Sequence, residues 1–537
     1  MTASPAEGPG TSCDRAAIEA FLAEPASYGL DGAAVERIDT HVATVFLAGE
    51  RAYKLKRPVA YSFLDFTTLE ARRAALCREL ELNRRTAPEL YLAVVPLLLD
   101  ETGTLCFGEA EAERQEEAGQ QQAVEWVLVM RRFDQEDRFD RLAESGGLDR
   151  PLVERLVDGV MAFHQFAERL GKPFGGAAYL RRVVAENVAD CADLGEILPA
   201  ERIARYSAAA AEAVAEVAAI LDSRRAGGLV RRCHGDLHLA NIVLWRGEPT
   251  LFDCIEFSEE IANVDLLYDF AFLLMDLDVR GLRDLASAAC ARYFGRSGQS
   301  ASLRALPVLL SIRAAVRAKV TALGLAAQRS ERERAAGEAQ ALAYLAAAER
   351  YLEPSRPRLI VVGGLSGSGK STLARSLAPL LAGPLGALHL RSDLLRKRLF
   401  GVAPEERLPE QAYGRDVNRQ VYELLLAEAR MALVAGWPVV VDAVFARPGE
   451  RHDVREIAAD LGLPLEAIWL EAPDELLKQR AARRGRDVSD ATPTVVERQL
   501  ALDLGQIEWP RLSATGDGAA VAAAARELLD IGPPDGV

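Results

Sequence analysis

The sequence predicts a multidomain chain: an N-terminal α+β domain, strands first and helices after, then a C-terminal α/β domain on a parallel sheet. Three observations carry this. The chain has 537 residues, half of them hydrophobic, too many for one ordinary core and enough to fill several. β-like runs and helical patterns are segregated before residue 353 and alternate after it, and alternation demands a parallel sheet covered by helices. Between the two regimes, Glu353–Arg358 reads EPSRPR, and its prolines break the helical run. The expected organisation is a disordered tail at 1–15, a first domain at 16–352 with lobes at 16–130 and 131–352, a linker at 353–357 and a second domain at 358–537.

The elements follow in order. MTASPAEGPGTSCDR, at 1–15, has neither the basic nor the apolar region of a signal peptide. Thr40–Leu47 and Ala52–Lys56 are β-rich and joined by AGER, a hairpin signal. Leu69–Arg85 has helical periodicity; Leu90–Leu99 and Val124–Met130 read as strands around the polar excursion Glu109–Gln122. Helical patterns cover Leu152–Leu170, Tyr179–Leu194, Ile203–Leu221 and, after the β-like Ile242–Phe252, the span Leu266–Leu352. Beyond the linker, β-like runs fall at Leu359–Val362, Ala387–Leu390, Val439–Asp442 and Ala467–Leu470.

Composition narrows the function. The net charge of −15 argues against nucleic acid or an anionic membrane as a broad partner, since both reward a basic surface. The seven cysteines (Cys13, Cys77, Cys106, Cys191, Cys233, Cys254, Cys290) are odd in number, scattered and without a C-x-x-C pair, as expected of reduced thiols in the cytoplasm. The most apolar helical run, Leu306–Leu323, is interrupted by Arg313, Arg317 and Lys319, so no membrane span is expected.

Gly364–Ser371, GLSGSGKS, satisfies G-x-x-x-x-G-K-[ST] between a predicted strand and a predicted helix, the context that motif needs. Its glycines let Gly364, Ser366, Gly367, Ser368, Gly369 and Thr372 wrap the loop around phosphates beside a helix N-terminus. Lys370 is placed to reach the β- and γ-phosphates, and the Ser371 hydroxyl to ligate Mg²⁺. Asp393 and Arg396, spaced D-x-x-R after the second strand, face the ligand crevice of a parallel sheet. The carboxylate is suited to take a proton from an acceptor hydroxyl, and the arginine to hold an anionic or polar substrate group. Asp442 ends PVVVDA as a Mg²⁺ carboxylate or a helix cap, and Arg480, Arg483, Arg484 and Arg486 form either a solvated helix face or a mobile lid.

Together these residues resemble small P-loop kinases of the gluconate kinase, polynucleotide kinase and zeta-toxin type, over roughly Arg358–Leu529. The resemblance implies a five-stranded parallel sheet, ATP at Gly364–Thr372, Asp393 as base, Arg396 as substrate clamp and the 480–486 arginines as lid.

The first domain carries a second phosphate-handling pattern. In CHGDLHLANIVL, His234, Asp236 and Asn241 fit H-x-D-x-x-x-x-N, and Asp253 follows at the end of PTLFD. In a protein-kinase-like fold, Asp236 accepts the hydroxyl proton while Asn241 and Asp253 bind Mg²⁺. His234 is expected to prop the loop, and His238 has no assigned role. The motif resembles the aminoglycoside and choline phosphotransferase branch of the protein-kinase-like fold, over about Ala16–Leu352, and implies a bilobal domain. Lys54 and Lys56, two apart on one strand face, both qualify to hold the α/β-phosphates, with Lys54 preferred. Glu79, or alternatively Glu70, is the carboxylate partner, and Val127–Phe133 is the hinge that receives adenine. One departure stands out: no G-x-G-x-x-G precedes the lysine, and DTHVATVFLAGER holds only Gly49.

The whole chain resembles fusions of an aminoglycoside phosphotransferase-like domain with an AAA-type P-loop kinase domain. The function this implies is a bifunctional ATP- and Mg²⁺-dependent phosphotransferase acting on hydroxyls of small molecules, sugars or amino sugars among them. Two rivals are a 5′-hydroxyl nucleic-acid kinase built on the P-loop domain and a nucleotide-sensing regulator with one non-catalytic ATP site.

Overall fold

The computed structural model describes residues 14–32, 34–40, 42–61, 64–110, 123–325, 330–483 and 488–532. The expected tail up to Cys13 and residues 111–122 of the polar excursion lie outside them. Chain contacts define two compact units. The first holds the chain up to Gly147 with Ala162–Leu170 and Arg231–Val264; the second holds Leu148–Met161, Gly171–Val230 and the chain from Asp265 onward.

The first unit is built on strands β1 (Glu36–Asp39), β2 (Ala43–Ala48) and β3 (Arg51–Lys56), helix α1 (Leu69–Asn83), and strands β4 (Tyr91–Leu99), β5 (Leu105–Phe107) and β6 (Glu125–Arg131). They form an antiparallel sheet in the order β1-β2-β3-β6-β4-β5. Strand side chains alternate between faces, and the core shows it. Trp126, Leu128 and Met130 pack with Leu76 of α1, while Val127 and Val129 pack with Ile18 and Leu22 of the helix Arg15–Ala23. Gly49, at φ +56°, closes the β2–β3 hairpin, and Thr68 caps α1 by accepting from the Ala71 amide at 3.2 Å. The β-like run after Asn241 is a second hairpin, β7 (Ile242–Trp245) and β8 (Glu248–Leu251). Arg246 and Gly247 turn it with φ of 53° and 84°, the positive pair that a two-residue hairpin turn requires.

The second unit joins helices α2 (Leu266–Val279), α3 (Arg283–Ser297), α4 (Leu306–Gly324) and α5 (Glu331–Arg350) to the P-loop fold. α2 is buried on all sides from Leu266 to Asp278, which explains its near-continuous apolar sequence. Arg283 at the start of α3 donates to the carbonyls of Pro379, Gly383 and Pro384. Further along α3, a Cβ on Gly295 would stand 2.5 Å from the tip of the Leu394 side chain, so a larger residue there would require Leu394 to shift.

The P-loop fold runs β9 (Leu359–Gly363), α6 (Lys370–Leu377), β10 (Leu388–Arg391), α7 (Ser392–Phe400), α8 (Arg415–Val434), β11 (Val439–Asp442), α9 (Pro448–Asp460), β12 (Leu465–Glu471), α10 (Asp474–Ala482), α11 (Pro493–Leu500), β13 (Arg511–Ser513) and α12 (Gly518–Leu528). All five strands are parallel, in the order β10-β11-β9-β12-β13. β9 and β11 are buried throughout, as expected of strands covered on both faces. Because β9 lies between strands that come later in the chain, the carboxyl ends of β9, β10 and β11 open onto one crevice.

Ile360 packs with Leu373, Leu377, Val440 and Ile468 in this core. Ile360→Ala should cost about 2–5 kcal/mol, read by denaturant unfolding; a loss under about 1 kcal/mol would contradict two-sided burial of β9.

Candidate functional sites

In the first unit the motif residues converge. Lys54 Nζ lies 2.6 Å from Glu79 Oε1 and 2.6 Å from Asp253 Oδ1. Lys56 also reaches Glu79, at 2.7 Å on Oε2. Both lysines therefore share Glu79, whereas Glu70 lies on the surface beside Arg73. Burial disfavours the Lys54 ammonium, yet Asp253 and Glu79 raise its pKa well above the ordinary lysine value. Burial likewise opposes the Asp253 charge, and Lys54 overcomes it, holding that carboxylate below its usual range.

The loop is held from inside. His234 is buried, with Nε2 2.9 Å from the Phe252 carbonyl, and its own carbonyl accepts from Ile255 at 3.0 Å. It thereby ties the loop to the segment carrying Asp253, the structural role its position suggested. Gly235 turns at φ +85°, where a Cβ would meet Ile255 at 3.0 Å. Asn241 Nδ2 donates to Asp236 Oδ2 at 2.9 Å and to the Asp236 carbonyl at 3.0 Å, which leaves Oδ1 as the atom that could meet a cation. His238 Nδ1 accepts from the Ala240 amide at 3.2 Å, so the ring proton resides on Nε2, 3.2 Å from Asp236 Oδ2. Asp253 stands at φ +59°, a strained conformation for a non-glycine residue. Its amide donates to the Tyr91 hydroxyl at 3.0 Å, and the next amide, of Cys254, to Asn83 Oδ1 at 2.9 Å. Tyr91 and Asn83 carry no motif, and no pattern in the sequence points to them.

A cleft of about 630 Å³ in this unit is lined by Gly49, Glu50, the segment Arg131–Gln135 and Trp245, so the end of the expected hinge faces open space. The amides of Arg131 and Arg132 are taken by the carbonyls of Leu90 and Glu50. Where a glycine flap would lie, β1 and β2 are joined across Thr40 and Ala43, with the Thr40 amide on the Ala43 carbonyl at 2.8 Å and the Ala43 amide on Thr40 Oγ1 at 3.0 Å. Oxygen donors from Asp253, Asn241 and Asp236 suit a hard cation such as Mg²⁺.

In the second unit the P-loop has the geometry its glycines predict. Gly364, Gly367 and Gly369 take φ of 137°, 85° and 92°, and a Cβ on Gly367 would lie 2.4 Å from the Leu477 carbonyl. Ser368 Oγ is buried without a hydrogen-bond partner among the described residues, as fits a loop whose polar groups await phosphate oxygens. Two cavities flank the loop. One, about 260 Å³, is lined by Gly367, Ser368, Gly369, Thr372 and Arg480. The other, about 280 Å³, is lined by Ser366, Lys370, Ser371, Asp393, Arg396 and Asp442 among others. Arg483 closes the helix of Arg480 and lines neither cavity; Arg484 and Arg486 lie outside the described residues.

The acids of the second cavity differ in how they are matched. Asp490 meets Lys397 at 2.6 Å and the Tyr413 hydroxyl at 2.6 Å. Asp442 lies 3.4 Å from His389 and 3.8 Å from Arg391, and although burial opposes its charge these neighbours hold it well below the usual carboxylate range. Asp393 has no cation partner among the described residues. Arg396, one turn along α7, donates to the Ala412 carbonyl and Asn418 Oδ1, both at 2.7 Å. Its Nε is buried without a hydrogen-bond partner among the described residues. Gln499 was not expected: its Oε1 accepts from the Ser366 amide at 2.8 Å. Arg447, Tyr413, Asn418 and Tyr422 also line this cavity without any motif.

Comparison with known proteins agrees with both halves. A family profile described as "Phosphotransferase enzyme family" matches residues 71–306, and one described as "AAA domain" matches residues 359–502. An uncharacterized protein of Mycobacterium tuberculosis is 32% identical over 478 residues, spanning 88% of this chain and 90% of that protein. The chain belongs to that family, in which a phosphotransferase domain of kinase-like fold is fused to a P-loop kinase domain. Solved structures similar to its parts include a choline/ethanolamine kinase family protein from Mesorhizobium loti (16% identity, 62% of this chain, 97% of that chain, TM-score 0.36). A gluconokinase from Sinorhizobium meliloti is another (22% identity, 33% of this chain, 93% of that chain, TM-score 0.24). As a member of this family the chain is a phosphotransferase with a P-loop ATP-binding domain. No helix among the described residues is long and apolar enough to cross a membrane.

His389 gives the second site a pH signature. Burial lowers its pKa to about 4, whereas an unfolded histidine titrates near pH 6.5. Between those values the unfolded chain binds more protons, so stability falls as pH drops through the window, by on the order of 3 kcal/mol. Denaturant unfolding at pH 7 and pH 4.5 should show His389→Gln losing less stability than the parent; equal losses would rule out a buried neutral histidine.

Proposed function

We propose that both domains transfer the γ-phosphoryl group of ATP to a hydroxyl of a small molecule, with sugars and amino sugars the class to test first. The polypeptide passes from one domain to the other at 353–357. The observation that carries the reading is the closed set in the first unit. Lys54 holds Glu79 and Asp253 at once, and Asn241 fixes Asp236 beside them. Such a set supports an assembled phosphotransfer site over scattered polar residues. In the second unit, a phosphate loop stands between two cavities, and Asp393 lines one of them without an ion-pair partner among the described residues.

Bound Mg²⁺–ATP supplies the phosphoryl group and neutralises its charge; the chain supplies position. In the first unit Lys54 is the phosphate ligand, and Asp253 and Asn241 Oδ1 are the metal ligands. Asp236, kept in place by Asn241 and by the Nε2–H of His238, receives the acceptor's proton. In the second unit the amides of Gly364–Thr372 and the Lys370 ammonium hold the phosphates, and Arg480 borders the nucleotide side. Ser371 and Asp442 offer oxygens to Mg²⁺. Asp393 takes the proton, and Arg396, with its Nε still unpaired, faces the substrate group. Each step depends on orientation and electrostatics, which is where phosphoryl-transfer catalysis resides.

A second reading has one specific support. Thr40 and Ala43 are hydrogen-bonded to each other where a phosphate-covering flap would be, which favours a first domain that holds nucleotide without turnover. One experiment separates the two. In a phosphate-transfer screen over sugars, aminoglycosides, nucleosides and a 5′-hydroxyl oligonucleotide, Asp236→Asn and Asp393→Asn should each remove a different activity, by about 10²–10⁴-fold. If Asp236→Asn costs nothing on any acceptor, the first domain is a sensor and not an enzyme.

A further inference from the structure

We infer that Lys56 and Glu256, to which no motif gives a role, position the nucleotide-binding lysine of the first unit. The inference rests on the reading of that site as a Mg²⁺–ATP site. β3 presents two ammonium groups on one face, and a single carboxylate stands between them: Glu79 meets Lys54 at 2.6 Å with one oxygen and Lys56 at 2.7 Å with the other. Asp253 also meets Lys54, but once that carboxylate turns to a metal, Glu79 alone cannot neutralise two buried cations. Glu256 provides the second, 2.5 Å from Lys56 Nζ, and the Phe66 ring lies 5.3 Å from the same ammonium.

The result is a chain of alternating charge: Asp253, Lys54, Glu79, Lys56, Glu256. It begins and ends on one loop, since Glu256 follows Asp253 by three positions. Side-chain exposure is 5% at Glu256, 2% at Lys56 and 0% at Glu79, then rises to 13% at Lys54 and 43% at Asp253. The open end is therefore the one that meets phosphate and metal, and the closed end is an anchor.

The anchor fixes how Glu79 divides itself. Without the Glu256 charge, Lys56 keeps Glu79 as its only counter-ion and draws it away from Lys54. Lys54 then leans on Asp253, the carboxylate that the metal needs. Lys56 and Glu256 thus act through Glu79 and Lys54 and are positioning residues. Their loss should weaken Mg²⁺–ATP binding and raise the Mg²⁺ requirement, whereas a purely structural ion pair would alter stability alone.

The test uses the full chain carrying Lys370→Ala, which disables the P-loop site, and a fluorescent ATP analogue titrated with and without Mg²⁺. Binding that Lys54→Ala abolishes establishes the site; no such binding overturns both this inference and the reading beneath it. Given binding, Glu256→Gln should weaken the Mg²⁺-dependent affinity of the folded chain about 10–100-fold and raise the Mg²⁺ concentration for half-saturation. Lys56→Arg should retain most of the affinity. Lys56→Met combined with Glu256→Met, which removes the surplus pair together, should bind more tightly than Glu256→Gln alone. An affinity within about twofold of the parent in Glu256→Gln, or a double variant no tighter than the single one, would overturn the inference. If Glu256→Gln does not fold, the double variant and Lys56→Arg decide it in the same way: weak binding by both in a folded chain refutes it.

Discussion

A carboxylate with no access to water must have its charge met inside the protein, or it costs several kcal/mol. Glu79 is such a group, and the first unit is organised around it. It sits on α1, so α1 must lie against β3, whose face carries Lys54 and Lys56. Those lysines in turn reach the loop after β8, where Asp253 and Glu256 answer them. The same helix extends one turn to Asn83, which holds the Cys254 amide, and the chain returns in β4 with Tyr91 to hold the Asp253 amide. A residue at φ +59° is kept in place by partners from two elements, and the strain at Asp253 is thereby overdetermined rather than merely tolerated.

The second unit handles charge differently. Its parallel sheet directs the carboxyl ends of β9, β10 and β11 into one crevice, so the glycine loop, Asp393 and Asp442 gather there by topology. Among the acids that line the crevice, Asp490 is matched by Lys397 and Asp442 by His389 and Arg391. Asp393 has no such partner among the described residues, as suits a group proposed to abstract a proton. Gln499 links α11 to the loop through the Ser366 amide, so the helix beyond the arginine-rich segment is in contact with the phosphate site itself.

The sequence made the strands and helices legible wherever a period was long enough to see. Val439–Asp442 was readable as a strand because its apolar run is continuous, and Leu69–Asn83 as a helix because its cap, Thr68, precedes a periodic stretch. Glu36–Asp39 and Arg511–Ser513 were not readable: each is a short edge strand, mostly exposed, and such strands leave no hydrophobic alternation. The run Ile242–Phe252 read as β but hid its turn, since Arg246 at φ 53° is not a residue that signals one.

For the sites, sequence alone marked the candidate residues and their spacing: the glycine loop with Lys370 and Ser371, the D-x-x-R spacing of Asp393 and Arg396, and the Asp236, Asn241, Asp253 set. These are local patterns, and local patterns survive in one dimension. Tertiary structure decided every question of partnership. It joined Lys54 and Lys56 to Glu79 rather than Glu70, and brought Tyr91, Asn83 and Glu256 to the metal loop. It also gave both terminal nitrogens of Arg396 to the 412–418 segment and set Gln499 against the P-loop. The reason is physical: a charge is matched by whatever lies within a few ångströms of it, and distance along the chain carries no information about that.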